Sequence, residues 1–364
     1  MKKALIIATI YPFIEGFEKN NIKLLKELGY EVHIIASGDD ITPNLDGLEV
    51  VKNIISITRN PLSVSNLQAY FYIKKYINNN DIDLVHCHTP VGGVLGRICN
   101  FKRRNRGLSK TIYTAHGFHF YKGGPLLNWI LYYPIEKILS KYTDVLITIN
   151  TEDYNIAKKS FCMNDLEYIP GVGIDIKKIN SIIGNKEELC RQLNISKNSI
   201  LLLSVGELNN NKNHKIVIET LPKLSTNVHY VICGVGPLKQ QYRQLAKELN
   251  VENRLHLLGY RSDIIYIMKS CDIFVFPSKR EGLSVALMEA TASHMICFAS
   301  KIRGNIDILS NDKGALLIDL SNFKSELIKF FDNIFDSTNS YMNDVERFSI
   351  KNVKEKMKKI YKEI

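Results

Sequence analysis

The 364-residue sequence has one tryptophan and only 9% aromatic residues, scattered along its length, so base-stacking platforms for nucleic acid are not expected. It also lacks any apolar run near the ~18–20 residues that cross a bilayer. The seven cysteines, Cys87, Cys99, Cys162, Cys190, Cys233, Cys271 and Cys297, are odd in number and contain no CxxC pair. That disfavours a disulfide framework or structural zinc, and buried reduced thiols in a cytoplasmic protein are expected. The start, MKKALIIATIYPF, imitates a secretory leader, but its apolar stretch Ala4–Ile10 is short and runs into Tyr11-Pro12 without a cleavage site. Acidic residues are the scarcer charge: 37 Asp+Glu against 48 Lys+Arg leave +11. Such a balance suits an anionic partner, whether nucleic acid, a nucleotide diphosphate or an acidic lipid leaflet, without choosing among them.

What is present is an ordinary globular composition, 45% hydrophobic and 23% charged, in a chain longer than the ~250–300 residues at which single cores stop growing. Short apolar runs alternate with helical patterns throughout. Strands are expected at Lys3–Ile10, Val32–Ala36, Leu84–Cys87, Lys110–Thr114 and Val145–Ile149, with helices over Glu18–Leu28 and Leu67–Ile77. After Pro170-Gly171-Val172-Gly173 the pattern restarts. Gly171–Asn198 reads as a linker with one helix. Strands follow at Ile200–Val205, Val228–Cys233, Leu255–Leu258, Ile273–Phe276, Met295–Ala299 and Ala315–Ile318. The runs are continuously apolar, as in parallel strands covered on both faces. The expected fold class is α/β: two Rossmann-like doubly wound domains, 1–172 and 173–345, facing an interdomain cleft, with a basic helix, 346–364, after them. Ligands in such sheets bind beyond the carboxyl ends of the strands.

The most informative stretch is Phe276-Pro-Ser-Lys-Arg-Glu-Gly-Leu-Ser-Val-Ala-Leu-Met-Glu289. A strand ends at Phe276, a loop carries Glu281 and Gly282, and Ser284 can cap a helix starting at Val285. Free N–H groups at that helix start make a site for a diphosphate, and Gly282 lets the backbone come close. Glu289, about one turn on, can accept from two ribose hydroxyls; Glu281, before the helix, can bind hydroxyls of an attached sugar.

At these residues the chain resembles glycosyltransferase family 4, retaining enzymes of the GT-B fold, and especially bacterial capsular and exopolysaccharide transferases. The resemblance extends through Tyr113-Thr-Ala-His-Gly-Phe-His119, Ile169-Pro-Gly-Val-Gly-Ile-Asp175, Ser204-Val-Gly-Glu-Leu-Asn209 with Lys212, Cys233-Gly-Val-Gly236, Leu258-Gly-Tyr-Arg-Ser-Asp263 and Lys301-Ile-Arg-Gly-Asn305. It implies an acceptor-binding first domain, a second domain that binds a nucleotide sugar, and a last helix crossing back to the first. By the same resemblance Glu281, His116 and Lys212 are the catalytic candidates. Glu289 is the expected ribose ligand, and Gly282, Leu283, Ser284 and Val285 hold the diphosphate. Gly206, Gly234, Gly236 and Arg261 complete the expected donor-binding set. The implied reaction moves a sugar from a UDP-linked donor to a glycan on a polyprenyl diphosphate, without cofactor or metal, in the cytoplasm or peripherally at an anionic membrane surface. A GT-B nucleotide-sugar epimerase and a non-catalytic partner that binds nucleotide sugar or lipid-linked glycan are the alternatives.

The sequence departs from that family's pattern at three places. Glu207 stands where many members have arginine, Ser284 where many have proline, and Ala292-Ser-His-Met-Ile296 lacks a helix-terminating glycine. Asp81-Ile-Asp83 spells a DxD but enters a strand directly and reads as solvated, while Gly234-Val-Gly236 lacks the third glycine of a dinucleotide fingerprint. His116 and His119 have no helically spaced partner for a metal. The basic run Arg97, Lys102, Arg103, Arg104, Arg106, Lys110 and Lys122 is expected to be a solvated face, with contact to anionic headgroups or a polyprenyl diphosphate as the other reading.

Overall fold

Strand β1 (Lys2–Ile10) shows how the first sheet is built. Ala4, Ile6 and Ala8 enter one apolar cluster and Leu5 and Ile7 another, so both faces of the strand are covered. This is why its sequence does not alternate. The computed structural model describes residues 1–38, 45, 47–61, 63–309, 315–332 and 345–364. They form two compact units, Met1–Gly173 with Lys351–Ile364, and Ile174–Ile350.

In the first unit β1 is followed by α1 (Tyr11–Phe17), α2 (Lys19–Glu27), β2 (Tyr30–Ser37), β3 (Val51–Ile54) and α3 (Val64–Asn79). Then come β4 (Leu84–His88), α4 (Pro90–Asn105), β5 (Lys110–Ala115), α5 (Leu126–Ser140), β6 (Val145–Thr148), α6 (Thr151–Ser160) and β7 (Asp165–Tyr168). The strands pair in the order β3-β2-β1-β4-β5-β6-β7, all parallel. Two of them, β3 and β7, escaped the sequence reading. Both are edge strands with exposed or half-buried residues, so neither carries a buried apolar run.

The second unit begins with two short helices, α7 (Ile176–Ser181) and α8 (Lys186–Gln192), where one was expected. Asp175 and Asn185 cap them separately. The array continues with β8 (Ile200–Val205), α9 (Lys215–Ile218), β9 (Val228–Cys233), α10 (Lys239–Glu248), β10 (Leu255–Gly259), α11 (Ile264–Met268) and β11 (Ile273–Phe276). It ends with α12 (Val285–Ala292), β12 (Ile296–Ser300), α13 (Asn305–Leu309), β13 (Ala315–Ile318) and α14 (Phe323–Asp332). Its parallel sheet runs β10-β9-β8-β11-β12-β13. The last helix, α15 (Ile350–Glu363), returns to the first unit, where Val353, Met357, Ile360 and Tyr361 join the cluster under β1.

Both sheets therefore reverse direction of growth at their first strand: between β1 and β4 in one unit, and between β8 and β11 in the other. Loops leaving the two strands on either side of such a reversal diverge and open a crevice at their carboxyl ends.

Candidate active site

In the second unit the crevice is framed by the loops after β8 and β11, which are stitched together. Asn213 Nδ2 donates to the Pro277 carbonyl at 3.2 Å, Lys279 N to the Asn211 carbonyl at 2.8 Å, and Asn211 Nδ2 to the Arg280 carbonyl at 2.9 Å. Asn209 Oδ1 accepts from the backbone N–H groups of Asn211 and Lys212 and fixes the turn that presents Lys212. The aliphatic stem of Lys212 crosses Gly206, where an added Cβ would come within 2.9 Å of Lys212 Cε. Its ammonium lies 4.7 Å from the centre of the Phe276 ring and 2.8 Å from Glu281 Oε1. Thus Lys212 and Glu281, 69 residues apart in sequence, meet as a partly buried ion pair.

The glycines serve close backbone contact. Gly234 has φ 157°, and a Cβ there would stand 1.9 Å from the Gly206 carbonyl oxygen; one on Gly236 would stand 2.6 Å from Leu208 N. On the other side the Arg303 Nε donates to the Glu281 carbonyl at 3.2 Å, and the loop after β12 comes up against Gly282. Ser284 caps α12, its Oγ accepting from Leu287 N at 3.4 Å, which leaves the Val285 end of the helix as an amide-bearing, positive pole. Glu289 follows on α12, half-buried; burial pushes its carboxyl up to about 7, against the pull of Lys178. Hydroxyl donors placed against it would favour its charged form.

Three sequence expectations are adjusted here. The Glu207 carboxylate is turned to solvent and accepts from Asn209 Nδ2 at 2.9 Å. Arg261 is engaged by Asp263 through two hydrogen bonds, 2.8 and 2.6 Å, because the two side chains stand two residues apart at the start of α11. The lost helix-terminating glycine is replaced by His294, which takes φ 60° itself.

In the first unit His116 directly follows β5. Its Nε2 lies 3.2 Å from His88 Nδ1, at the end of β4, and Phe13 from α1 packs edge-on at 4.8 Å. Burial lowers the pKa of His116 to about 4 and that of His86 to about 3, and takes His88 well below the ordinary value, so all three imidazoles are neutral at pH 7. Glu18, at the junction of α1 and α2, places Oε1 3.3 Å from His88 Nδ1. Glu18, His86 and His88 were not singled out in the sequence; the readable signal was His86-Cys-His88, two histidines on one face of a strand end. Ligand atoms of these three lie within 4.8 Å of one another, but both nitrogens of His86 are committed, to Tyr361 OH and Thr114 Oγ1 at 2.8 Å each. With His86 committed at both nitrogens and Glu18 bonded to Asn21, only His88 Nε2 is left without a partner, one free ligand atom where a metal centre needs three or four.

The basic run proves less exposed than expected. Arg97 is buried and paired with Glu136 at 2.8 Å, Arg103 pairs with Asp81 at 3.0 Å, and Arg104 with Asp144 at 2.9 Å. The acids come from other elements, which the local sequence does not reveal. Asp83 Oδ2 accepts from Lys3 N at the amino end of β4, away from the crevice.

Comparison with known proteins identifies the family and the fold. Residues 185–341 match the family model for glycosyl transferases group 1, and residues 7–150 the model for glycosyl transferase 4-like domains. The "Putative glycosyltransferase EpsD" of Bacillus subtilis (strain 168) is 36% identical over 88% of this chain and 84% of its own. The Escherichia coli UDP-Gal:alpha-D-GlcNAc-diphosphoundecaprenol alpha-1,3-galactosyltransferase is 28% identical over 97% and 95%. Among solved structures, Anabaena Alr3699/HepE in complex with UDP and glucose superposes with a TM-score of 0.79 at 18% identity, covering 100% of both chains.

Proposed function

The chain belongs to the group 1 glycosyl transferases, and from that premise we propose that it moves a sugar from a UDP-linked donor, with retention at the anomeric carbon, onto a hydroxyl of a polyprenyl-diphosphate-linked glycan. The observation that carries the donor assignment is the Lys212–Glu281 pair beside the Ser284-capped start of α12. The helix start and the backbone of Gly282–Val285 hold the diphosphate, and Glu289 accepts from the ribose hydroxyls. Lys212 exchanges its contact with Glu281 for a phosphate oxygen, and its charge counts most as the nucleotide departs and the phosphate charge grows. Glu281, released, accepts from hydroxyls of the sugar, and His116 is the sugar contact that the family resemblance assigns to the first unit. The bond between the anomeric carbon and the phosphate oxygen breaks while the acceptor oxygen bonds on the same face. The acceptor's proton passes to the departing phosphate. Lys212 and the α12 amides supply the positive charge that a metal would otherwise provide, so chelation is expected to leave turnover unchanged. UDP and the lipid-linked acceptor are supported by what the Escherichia coli relative acts on and by the nucleotide in the Anabaena structure.

An acceptor on a lipid carrier calls for contact with a bilayer, and α5 offers the means. Leu126, Leu127, Ile130, Leu131, Ile135 and Ile138 are 45–74% exposed and recur at helical spacing along one side. Exposed Lys122, Lys137 and Lys141 flank them. Apolar side chains bordered by lysines suit a helix lying in an anionic interface. Among the described residues no helix is long and apolar enough to cross the membrane. The decisive experiment supplies UDP-sugars and a lipid-linked acceptor extract to the purified chain and to Glu281→Ala. Turnover is expected to fall by orders of magnitude in the variant while UDP still raises its Tm; near-normal turnover would remove Glu281 from the site.

A further inference from the structure

Behind His116 lies a chain of buried polar groups that the proposed transfer leaves unused. Asn21 Nδ2 donates to Glu18 Oε2 at 2.7 Å; Glu18 Oε1 stands 3.3 Å from His88 Nδ1; and the same nitrogen stands 3.2 Å from His116 Nε2. Glu18 is 1% exposed and His88 fully buried. The titratable side chains facing this line are His86 and His88 from β4, His116 after β5, and Tyr361 from α15, whose phenol is held neutral by burial and by Glu18. His86 is fixed by Tyr361 and Thr114, and Phe13 holds the His116 ring plane. His116 Nδ1 has no protein partner among the described residues and is the nitrogen left to meet a ligand.

We propose that Glu18 and His88 are positioning residues for His116, deciding through one proton whether His116 offers the transferred sugar a hydrogen-bond donor or an acceptor. With Glu18 ionised, the His88 Nδ1–H is shared between Glu18 Oε1 and His116 Nε2. His116 then carries its proton on Nδ1 and donates outward. With Glu18 protonated, its O–H donates to His88 Nδ1, and the His88 proton moves to Nε2. The single lone pair of His88 Nδ1 is then taken by Glu18. A bare His116 Nε2 facing it would set lone pair against lone pair, whereas an Nε2–H can share it as a second, weaker donor, so the His116 proton sits on Nε2 and Nδ1 becomes an acceptor. His88 Nε2 has no hydrogen-bond partner, so that end of the ring does not decide between the states. Burial pushes the Glu18 carboxyl up to about 8, so the acceptor form prevails at neutral pH and the donor form in mild alkali. The role in catalysis rests on the reading that His116 meets the sugar; the relay itself does not.

The test therefore needs no substrate. In chain labelled with 15N-histidine, long-range 1H–15N spectra report which ring nitrogen holds the proton, with His116→Asn identifying the His116 signals. From pH of about 6 to about 9 the His116 proton is expected to move from Nε2 to Nδ1, the ratio changing about tenfold per pH unit near the midpoint. Glu18→Gln, whose amide donates at every pH, should hold it on Nε2 throughout. His88→Gln should make His116 indifferent to pH, and the matching inflection in the pH profile of kcat should vanish in both variants. Circular dichroism establishes that each variant is folded. Identical His116 tautomers in the wild type and folded variants across this range would overturn the proposal, as would one zinc ion per chain in the purified protein.

Discussion

The two units share strand order and the same reversal point, yet they fill their crevices with opposite chemistry. The second presents charge and bare backbone: Lys212 against Glu281, glycines where loops touch, a capped helix start. The first presents three neutral imidazoles and a carboxyl that burial makes reluctant to ionise. On the proposed reading a nucleotide diphosphate brings charge that must be matched, and a cation kept only partly buried and lent a carboxylate suits it. On the same reading the reacting groups of the sugar and the acceptor are neutral hydroxyls, for which buried, uncharged donors and acceptors are the better complement. The shared topology provides the location; the residues on the four loops set the sign of the field.

The largest expected effect breaks this contrast by neutralising the second crevice. Lys212→Met keeps the stem over Gly206 and the contact with Phe276 but removes the ammonium. Losing a positive group aimed at developing phosphate charge is expected to lower kcat by about 10²–10³. It should also leave Glu281 without its partner, so UDP binding should weaken too. Steady-state rates and UDP titration measure both; a loss below tenfold in kcat would show that the backbone amides suffice.

A second, smaller effect sharpens the contrast through acid. A histidine whose folded pKa lies below its unfolded value of about 6.5 binds more protons when unfolded, so its share of stability is lost as pH falls from that value toward the folded one. His86, His88 and His116 all behave so, and their rings touch, so each protonation opposes the next. Glu18 acts in the other direction, its raised pKa lowering stability as pH rises from the ordinary carboxyl range toward about 8. In the second unit His214, lowered to about 4, stands apart, and His256, also lowered to about 4, touches only the less buried His229, a pair where the first unit has three. Hydrogen exchange between pH 6.5 and about 4 should therefore show protection lost first in β4 and β5. Earlier loss in β8 and β9 would place the acid-sensitive element in the other unit.

How far the sequence discloses this varies in the same way. Strands β8, β9 and β11 begin and end where their apolar runs do, because each is buried between layers of helices. The edge strands β3 and β7 face solvent with polar residues and carry no such run, whereas β13, also at an edge and half-buried, keeps its Ala-Leu-Leu-Ile and was readable. The second crevice was readable because its demands are local: a glycine, a cap and two glutamates fall within one strand–loop–helix segment. The first was readable only at His116. Glu18 sits between two amphipathic helices and looks like a surface residue, and its pairing with His88 arises from tertiary contact across 70 residues. Arg97 misled for the same reason, since Glu136 reaches it from another helix.

The smallest effect concerns the end of α12, where the sequence lacks a glycine that its geometry wants. Met295 N donates to the Ala290 carbonyl at 3.1 Å and His294 N to the Thr291 carbonyl at 3.0 Å, the paired bonds that close a helix through a left-handed residue. That residue is His294, at φ 60°, where a β-carbon costs about 1–2 kcal/mol. His294→Gly should keep both bonds and relieve the strain, while the freer unfolded chain takes back about 0.4–1 kcal/mol. A net gain of about 0.5–1 kcal/mol should raise Tm by about 1–4 °C. Because the substitution adds no charge to the crevice, kcat should stay put while Tm rises. If instead UDP binding weakens, the imidazole itself supports the donor site, and the charged crevice would draw on a histidine as the neutral one does.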